Sequence, residues 1–181
     1  MGFLRSVVSL SCCALIIFLV PRRADGTGCV LEALEDCMTN EEDRRVDIRN
    51  LSIGVLDNGR WAIMGKAEMN LRNISKVTVE LIKCASKQEP ETCSYFTTVS
   101  YKNPCKMFES KNELWSSFVQ SSEPPMLCPL KGLYSFENSV MDAEAANKKM
   151  PGLEGFYWKA KSVFSVGKKQ VSCVRMEFLM E

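Results

Sequence analysis

The chain contains no histidine. That absence removes Ser-His-Asp and Cys-His nucleophilic catalysis, because the base that would take the nucleophile's proton is missing. No two cysteines stand in a CxxC pair either, so a zinc site is not expected. Gly-rich phosphate loops are lacking as well. So is any large excess of one charge. There are 23 Lys and Arg against 22 Asp and Glu, whereas a nucleic-acid partner ordinarily goes with a basic domain. Among enzymes, a glycosidase built on a carboxylate pair survives these exclusions. The acidic residues, however, crowd into one stretch (Glu32, Glu35, Asp36, Glu41, Glu42, Asp43) and form no pocket motif. No catalytic, cofactor or metal residue is assigned, and a non-enzymatic role is expected.

Long apolar runs are also scarce, and the one present lies at the start. Residues 7–20 are apolar, Arg5 precedes them, and Pro21-Arg22-Arg23-Ala24 follows. This is the pattern of a secretory signal, with cleavage expected after Ala24 or Gly26. A spanning helix would need about twenty apolar residues. Residues 1–24 therefore read as a signal peptide and 25–181 as one exported domain, secreted or held in the lysosomal lumen. That length suits a single domain with a real core. Loss of Arg5, Arg22 and Arg23 leaves 20 basic and 22 acidic residues, a formal charge of −2. The basic end of the chain (Lys159, Lys161, Lys168, Lys169, Arg175) reads, like the acidic start, as solvated surface.

Cysteine is what the exported part does have. Cys12 and Cys13 leave with the signal, and Cys29, Cys37, Cys84, Cys93, Cys105, Cys128 and Cys173 remain. In an exported chain these form a disulfide framework, and an odd number leaves one thiol free or pairing between chains. Cys84 and Cys93 close the ends of a polar loop, a geometry that suits a bridge.

Most of the remaining sequence has the period of strands. Residues 28–45 are polar and acidic and read as an extended arm tied down by Cys29 or Cys37. Residues 46–56 alternate with one slip near Arg49-Asn50, as a β-bulge would give. Asn58-Gly59 is a hairpin signal. Trp61, Ile63, Ala67, Met69 and Leu71 then share one face, opposite Lys66, Glu68 and Asn70. Strands are expected again at 77–84 and 94–101, briefly at 133–136, and as a hairpin at 156–166 and 171–180. Residues 137–149 are polar and Ala-rich and could hold a helical turn. Seven or eight strands with few helices predict an all-β antiparallel sandwich or open barrel. Asn50 and Asn73 fit the N-glycosylation pattern.

Residues 105–132 break the strand pattern. Met107, Phe108, Leu114, Trp115, Phe118 and Val119 recur at helical spacing, and Met126-Leu127 follow a Pro-Pro pair. Connections between strands are normally polar. This one reads either as a short helix capping the core or as the lip of a cavity that takes an apolar ligand.

Several blocks taken in order resemble ganglioside activator-like proteins of the ML (lipid-recognition) superfamily, including its arthropod chemosensory branch. They are residues 76–83, the loop 84–93, Cys105, the run 128–135 (CPLKGLYS), Gly155-Phe156-Tyr157 and the run 167–174 (GKKQVSCV). The resemblance covers residues from about Cys37 to the C-terminus. It implies a β-cup, a sandwich whose sheets splay around an apolar cavity, and a carrier or presenter of lipid. Such a protein meets a membrane surface transiently. It extracts lipid for a glycosidase or delivers a chemosensory ligand to a receptor. The resemblance also implies Cys105–Cys128, Cys84–Cys93, and Cys173 bridged to an N-terminal cysteine. Cys37 is the better partner by its distance from the first strand, which leaves Cys29 free or as the alternative. The activator has a further disulfide inside the apolar loop that this chain lacks, so the loop is expected to be fastened by Cys105–Cys128 alone.

The candidate cavity and rim residues are Trp115, Phe118, Val119, Met126, Leu127, Trp61, Met69, Leu133, Phe156, Trp158, Met176 and Phe178. Of these, Trp115, Phe118 and Met126 sit on the connection and are the better ligand or membrane contacts, whereas Trp61, Trp158 and Phe178 suit a core. Nine methionines lie beyond Met1. Flexible Met suits a surface accepting variable acyl chains, although it also fills ordinary gaps. The competing expectation is an extracellular immunoglobulin-like interaction module with a filled core and no ligand, but the Cys…Trp…Cys arrangement of that fold is not evident.

Overall fold

A computed structural model describes residues 28–181. The signal segment and its cleavage point lie outside the described residues. The described residues form nine strands: β1 (Cys29–Asp36), β2 (Val46–Val55), β3 (Trp61–Leu71), β4 (Lys76–Cys84), β5 (Ser94–Tyr101), β6 (Ser122–Glu123), β7 (Leu130–Val140), β8 (Phe156–Val166) and β9 (Lys169–Met180). Three short helices accompany them: α1 (Pro104–Glu109), α2 (Ser116–Gln120) and α3 (Ala143–Lys149). The strands form two antiparallel sheets, β1-β9-β8-β4-β5 and β2-β3-β7-β6. The fold is an all-β sandwich.

Each sheet turns one alternate set of side chains inward, as period-two strands must. In the five-stranded sheet these include Val77, Val79 and Leu81 of β4, Trp158, Ala160 and Phe164 of β8, and Val174, Met176 and Phe178 of β9. The four-stranded sheet answers with Val46, Ile48, Met69, Leu71, Leu130 and Phe136.

Bulges reset this phase where the sequence alternation slips. In β2 the register against β3 shifts between Asp47 and Asn50, so Ile48 and Leu51 both face in although three residues apart. Gly65 lies opposite at φ 116°, where an added Cβ would sit 2.1 Å from the Asn50 carbonyl oxygen, so only glycine fits. A second bulge falls in β7 opposite Ile63 and Gly65, at Asn138 with φ 57°, a conformation Asn tolerates.

Three expectations need correcting. Residues 29–36 are a full strand on β9 rather than an arm. A bulge between Leu31 and Ala33 puts both Leu31 and Leu34 on the packed face, which hides the alternation. The short strand expected at 133–136 runs from Leu130 to Val140, because β3 pairs with it along its length. The polar stretch after it does hold a helix. Asp142 caps α3 by accepting from the Ala145 amide at 2.9 Å.

The described residues form three disulfides: Cys37–Cys173, Cys84–Cys93 and Cys105–Cys128. The first ties the end of β1 to β9 across a sequence separation of 136 residues. Among the described residues Cys29 has no disulfide partner. Burial pushes its pKa up to about 12. No helix among the described residues is long and apolar enough to cross a membrane. Asn50 and Asn73 are both exposed.

Two measurements check this framework. Replacing Cys37 and Cys173 together by Ser should cost roughly 3–5 kcal/mol in urea unfolding, since the longest loop loses its closure. Cys29 should react slowly with iodoacetamide at neutral pH in the folded protein and rapidly after unfolding with the disulfides intact, because the thiolate is the reactive form.

Candidate ligand-binding cavity

The two sheets do not close on each other. β1 packs on β2 along one edge, and no comparable packing joins β5 to β7 at the other. The chain between β5 and β7 spans that gap with α1, α2 and the two-residue β6. Between the sheets and this span lies a cavity of about 420 Å³, within the ~300–1,000 Å³ range of small-molecule sites.

The walls are almost wholly apolar. Six methionines line them: Met69, Met107, Met126, Met141, Met150 and Met176. The floor is aromatic. Phe118 of α2 stacks on Phe136 of β7 with ring centroids 4.6 Å apart. Trp158 is fully buried, its Nε1 donates to the Leu153 carbonyl at 2.8 Å, and Phe96 packs edge-on against it with ring centroids 5.1 Å apart.

Four polar side chains also reach the cavity: Tyr101, Glu113, Lys149 and Ser162. Neither the Tyr101 nor the Ser162 hydroxyl has a hydrogen-bond partner among the described residues. Tyr101 packs edge-on against Trp115 at 5.5 Å. Desolvation, then the nearby Glu113 charge, raises its pKa above the ordinary phenol value. Glu113 pairs with Lys149 of α3 and accepts a hydrogen bond from the Ser110 hydroxyl at 3.3 Å. Lys149 is the most exposed residue of this lining, so the ion pair marks the mouth.

The spanning segment is fastened by more than Cys105–Cys128, contrary to the expectation from the missing second disulfide. The Ser116 hydroxyl donates to the Ser110 carbonyl at 2.8 Å and accepts from the Glu113 amide at 2.9 Å. Ser117 donates to the Val140 carbonyl at 2.7 Å, and the Ser121 and Ser139 hydroxyls meet at 2.6 Å. The Trp115 Nε1 donates to the Met107 carbonyl at 3.0 Å. These bonds satisfy backbone groups that a short apolar span would otherwise bury without partners.

Eight of the twelve candidate residues line this cavity: Trp115, Phe118, Val119, Met126, Met69, Trp158, Met176 and Phe178. The other four do not. Leu133 is 55% exposed, because β7 turns Tyr134 and Phe136 inward and 133 outward. Leu127 points away from the cavity beside the inward Met126 and is 63% exposed. Phe156 packs at the margin of the core under the Lys83 ammonium, 3.3 Å from its ring centroid. Trp61 begins β3 and packs at the edge beside Leu31, Ile53 and Lys87.

Tyr101, Glu113, the α3 residues Ala145, Ala146 and Lys149, and Met150 just after that helix also line the cavity without having been singled out as site candidates. The helix had legible signals in its Asp142 cap, Glu144 in the first turn and Lys148 and Lys149 in the last. No protein-family model matches the chain, and no curated protein matches it at a significant level.

Phe118 and Trp115 are both partly buried, but Phe118 packs against both halves of the core and Trp115 against one. Phe118→Ala should therefore cost roughly 2–4 kcal/mol in urea unfolding, and Trp115→Ala less than half of that. Equal losses would place Trp115 in the core as well.

Proposed function

We propose that this protein is an exported carrier that binds a lipid tail or another apolar small molecule between its sheets. The observation that carries the reading is the cavity, apolar, methionine-lined and reached at one edge under a separate spanning segment. Burial of an acyl chain there would gain about 0.8 kcal/mol per methylene, so affinity needs few polar contacts. Methionine side chains adapt to chains of different length and kink. The open space between the sheets favours this reading over an immunoglobulin-like interaction module, which needs a filled core. The resemblance to the ML superfamily points the same way, and we place the chain there as part of the proposal.

Export is supported by three disulfides in one domain together with the signal-like start of the sequence. Asn50 and Asn73 are proposed glycan acceptors. The exposed Leu127, next to the cavity residue Met126, suits a transient contact with a membrane surface. Whether the cargo is handed to a glycosidase or to a chemosensory receptor follows from the cargo itself.

Native mass spectrometry of protein purified from its source should show a reproducible apolar adduct. The delipidated protein should take up a fluorescent fatty-acid probe, with Trp115→Ala weakening uptake several-fold. No adduct and no uptake would return the fold to the interaction-module reading. Stimulated hydrolysis of a membrane-embedded glycolipid, without effect on a soluble substrate, would identify the glycosidase branch.

A further inference from the structure

The part of the cavity wall that α3 supplies is attached more lightly than the rest. No strand pairs with this helix. Three of the side chains it turns inward are alanines, Ala143, Ala145 and Ala146, which bury little apolar area. Among the described residues two polar links join it to the span, one at each end. The Asp142 amide donates to the Leu114 carbonyl at 3.2 Å, and Lys149, on the last turn, pairs with Glu113. Glu113 also accepts from the Ser110 hydroxyl, so the ion pair couples α3 to the ordered turn that precedes α2.

The closed arrangement carries a cost of its own. Asn147 of α3 spends its amide nitrogen on Glu154, which leaves its Oδ1 buried with no hydrogen-bond partner among the described residues. Exchanging the amide oxygen and nitrogen would set oxygen against the Glu154 carboxylate, so the orphan is not an assignment error. A buried acceptor without a donor disfavours the state that buries it, and lifting the helix brings water to it. Beyond α3 the chain turns at Pro151-Gly152, where Gly152 sits at φ 91° with open space beside it.

We propose that α3 is the door of the cavity and that the Glu113–Lys149 ion pair is its latch. Cargo passes when the pair parts and the helix swings off the span. This inference concerns how the cavity site is regulated and rests on the cavity reading above. The pair suits a latch because it lies at the surface, its side chains 47% and 20% exposed for Lys149 and Glu113. Water takes up both charges on parting, so the bond holds the door without locking it. Loosening it raises the open fraction with and without cargo alike, and so changes passage rather than affinity.

Stopped-flow binding of the neutral fluorophore N-phenylnaphthylamine to the purified protein tests this. Glu113→Gln and Lys149→Gln should each raise the association and dissociation rates together, by about two- to fivefold. Kd should stay unchanged, which also shows that the variants are folded. The double variant should be no faster than either single one, because both changes remove the same interaction. Added salt should speed exchange in the native protein and leave the double variant as it is. Native rates in both single variants, additive effects in the double one, or a rise in dissociation alone would overturn the latch and leave the carrier reading standing. Failure of the fluorophore to bind the native protein would overturn both.

Discussion

Everything else in this fold answers one constraint: two sheets, each with a continuous apolar inner face, meet along one edge and stay apart at the other. A sandwich normally interdigitates its inner faces across a layer about 10 Å thick. Here about 420 Å³ between them is not filled by protein atoms. Side chains facing such a space lose packing contacts that a filled core would give them, and the three disulfides stabilise the fold independently of that packing.

The same constraint explains the span between β5 and β7. Its apolar side chains complete the cavity wall, so it cannot be the usual polar surface loop. Its backbone must nevertheless be satisfied with only the two residues of β6 paired to a sheet. Short hydroxyl side chains solve this. Ser116, Ser117, Ser121 and Ser122 bond to nearby carbonyls or to Ser139, and their small volume lets α2 lie close on β7. The sequence run that looks unremarkable between Trp115 and Pro124 is in fact what holds the lid of the cavity.

How far the architecture could be read from the residues depended on phase. β2 was legible with its bulge, because Val46 and Ile48 on one side of the slip and Leu51 and Ile53 on the other show it directly. β1 was not, because its bulge comes in a short, acidic segment and makes Leu31 and Leu34 look unpatterned. β7 carried Leu133 and Tyr134 side by side, and only pairing with β3 decides that the tyrosine faces in. The apolar span was recognisable as non-strand from Met107 to Val119, and it does line the cavity. The mouth was not recognisable. Glu113 and Lys149 are 36 residues apart and look like any solvated charges until α3 folds across the span.

That last pairing alters what selectivity can mean here. With walls that are almost wholly apolar, discrimination among tails rests on volume and on how far the methionines can repack, which separates ligands by only about 1–3 kcal/mol per methylene group misfitted. A site with buried or shielded polar groups discriminates far more steeply, because the wrong ligand leaves those groups unpaired. Such groups are few in this lining: Glu113 pairs with Lys149 where it is most exposed, and Tyr101 and Ser162 are the other two. In the span, Glu113 and Trp115, the latter edge-on to Tyr101, are positioned by hydrogen bonds rather than by a covalent bridge.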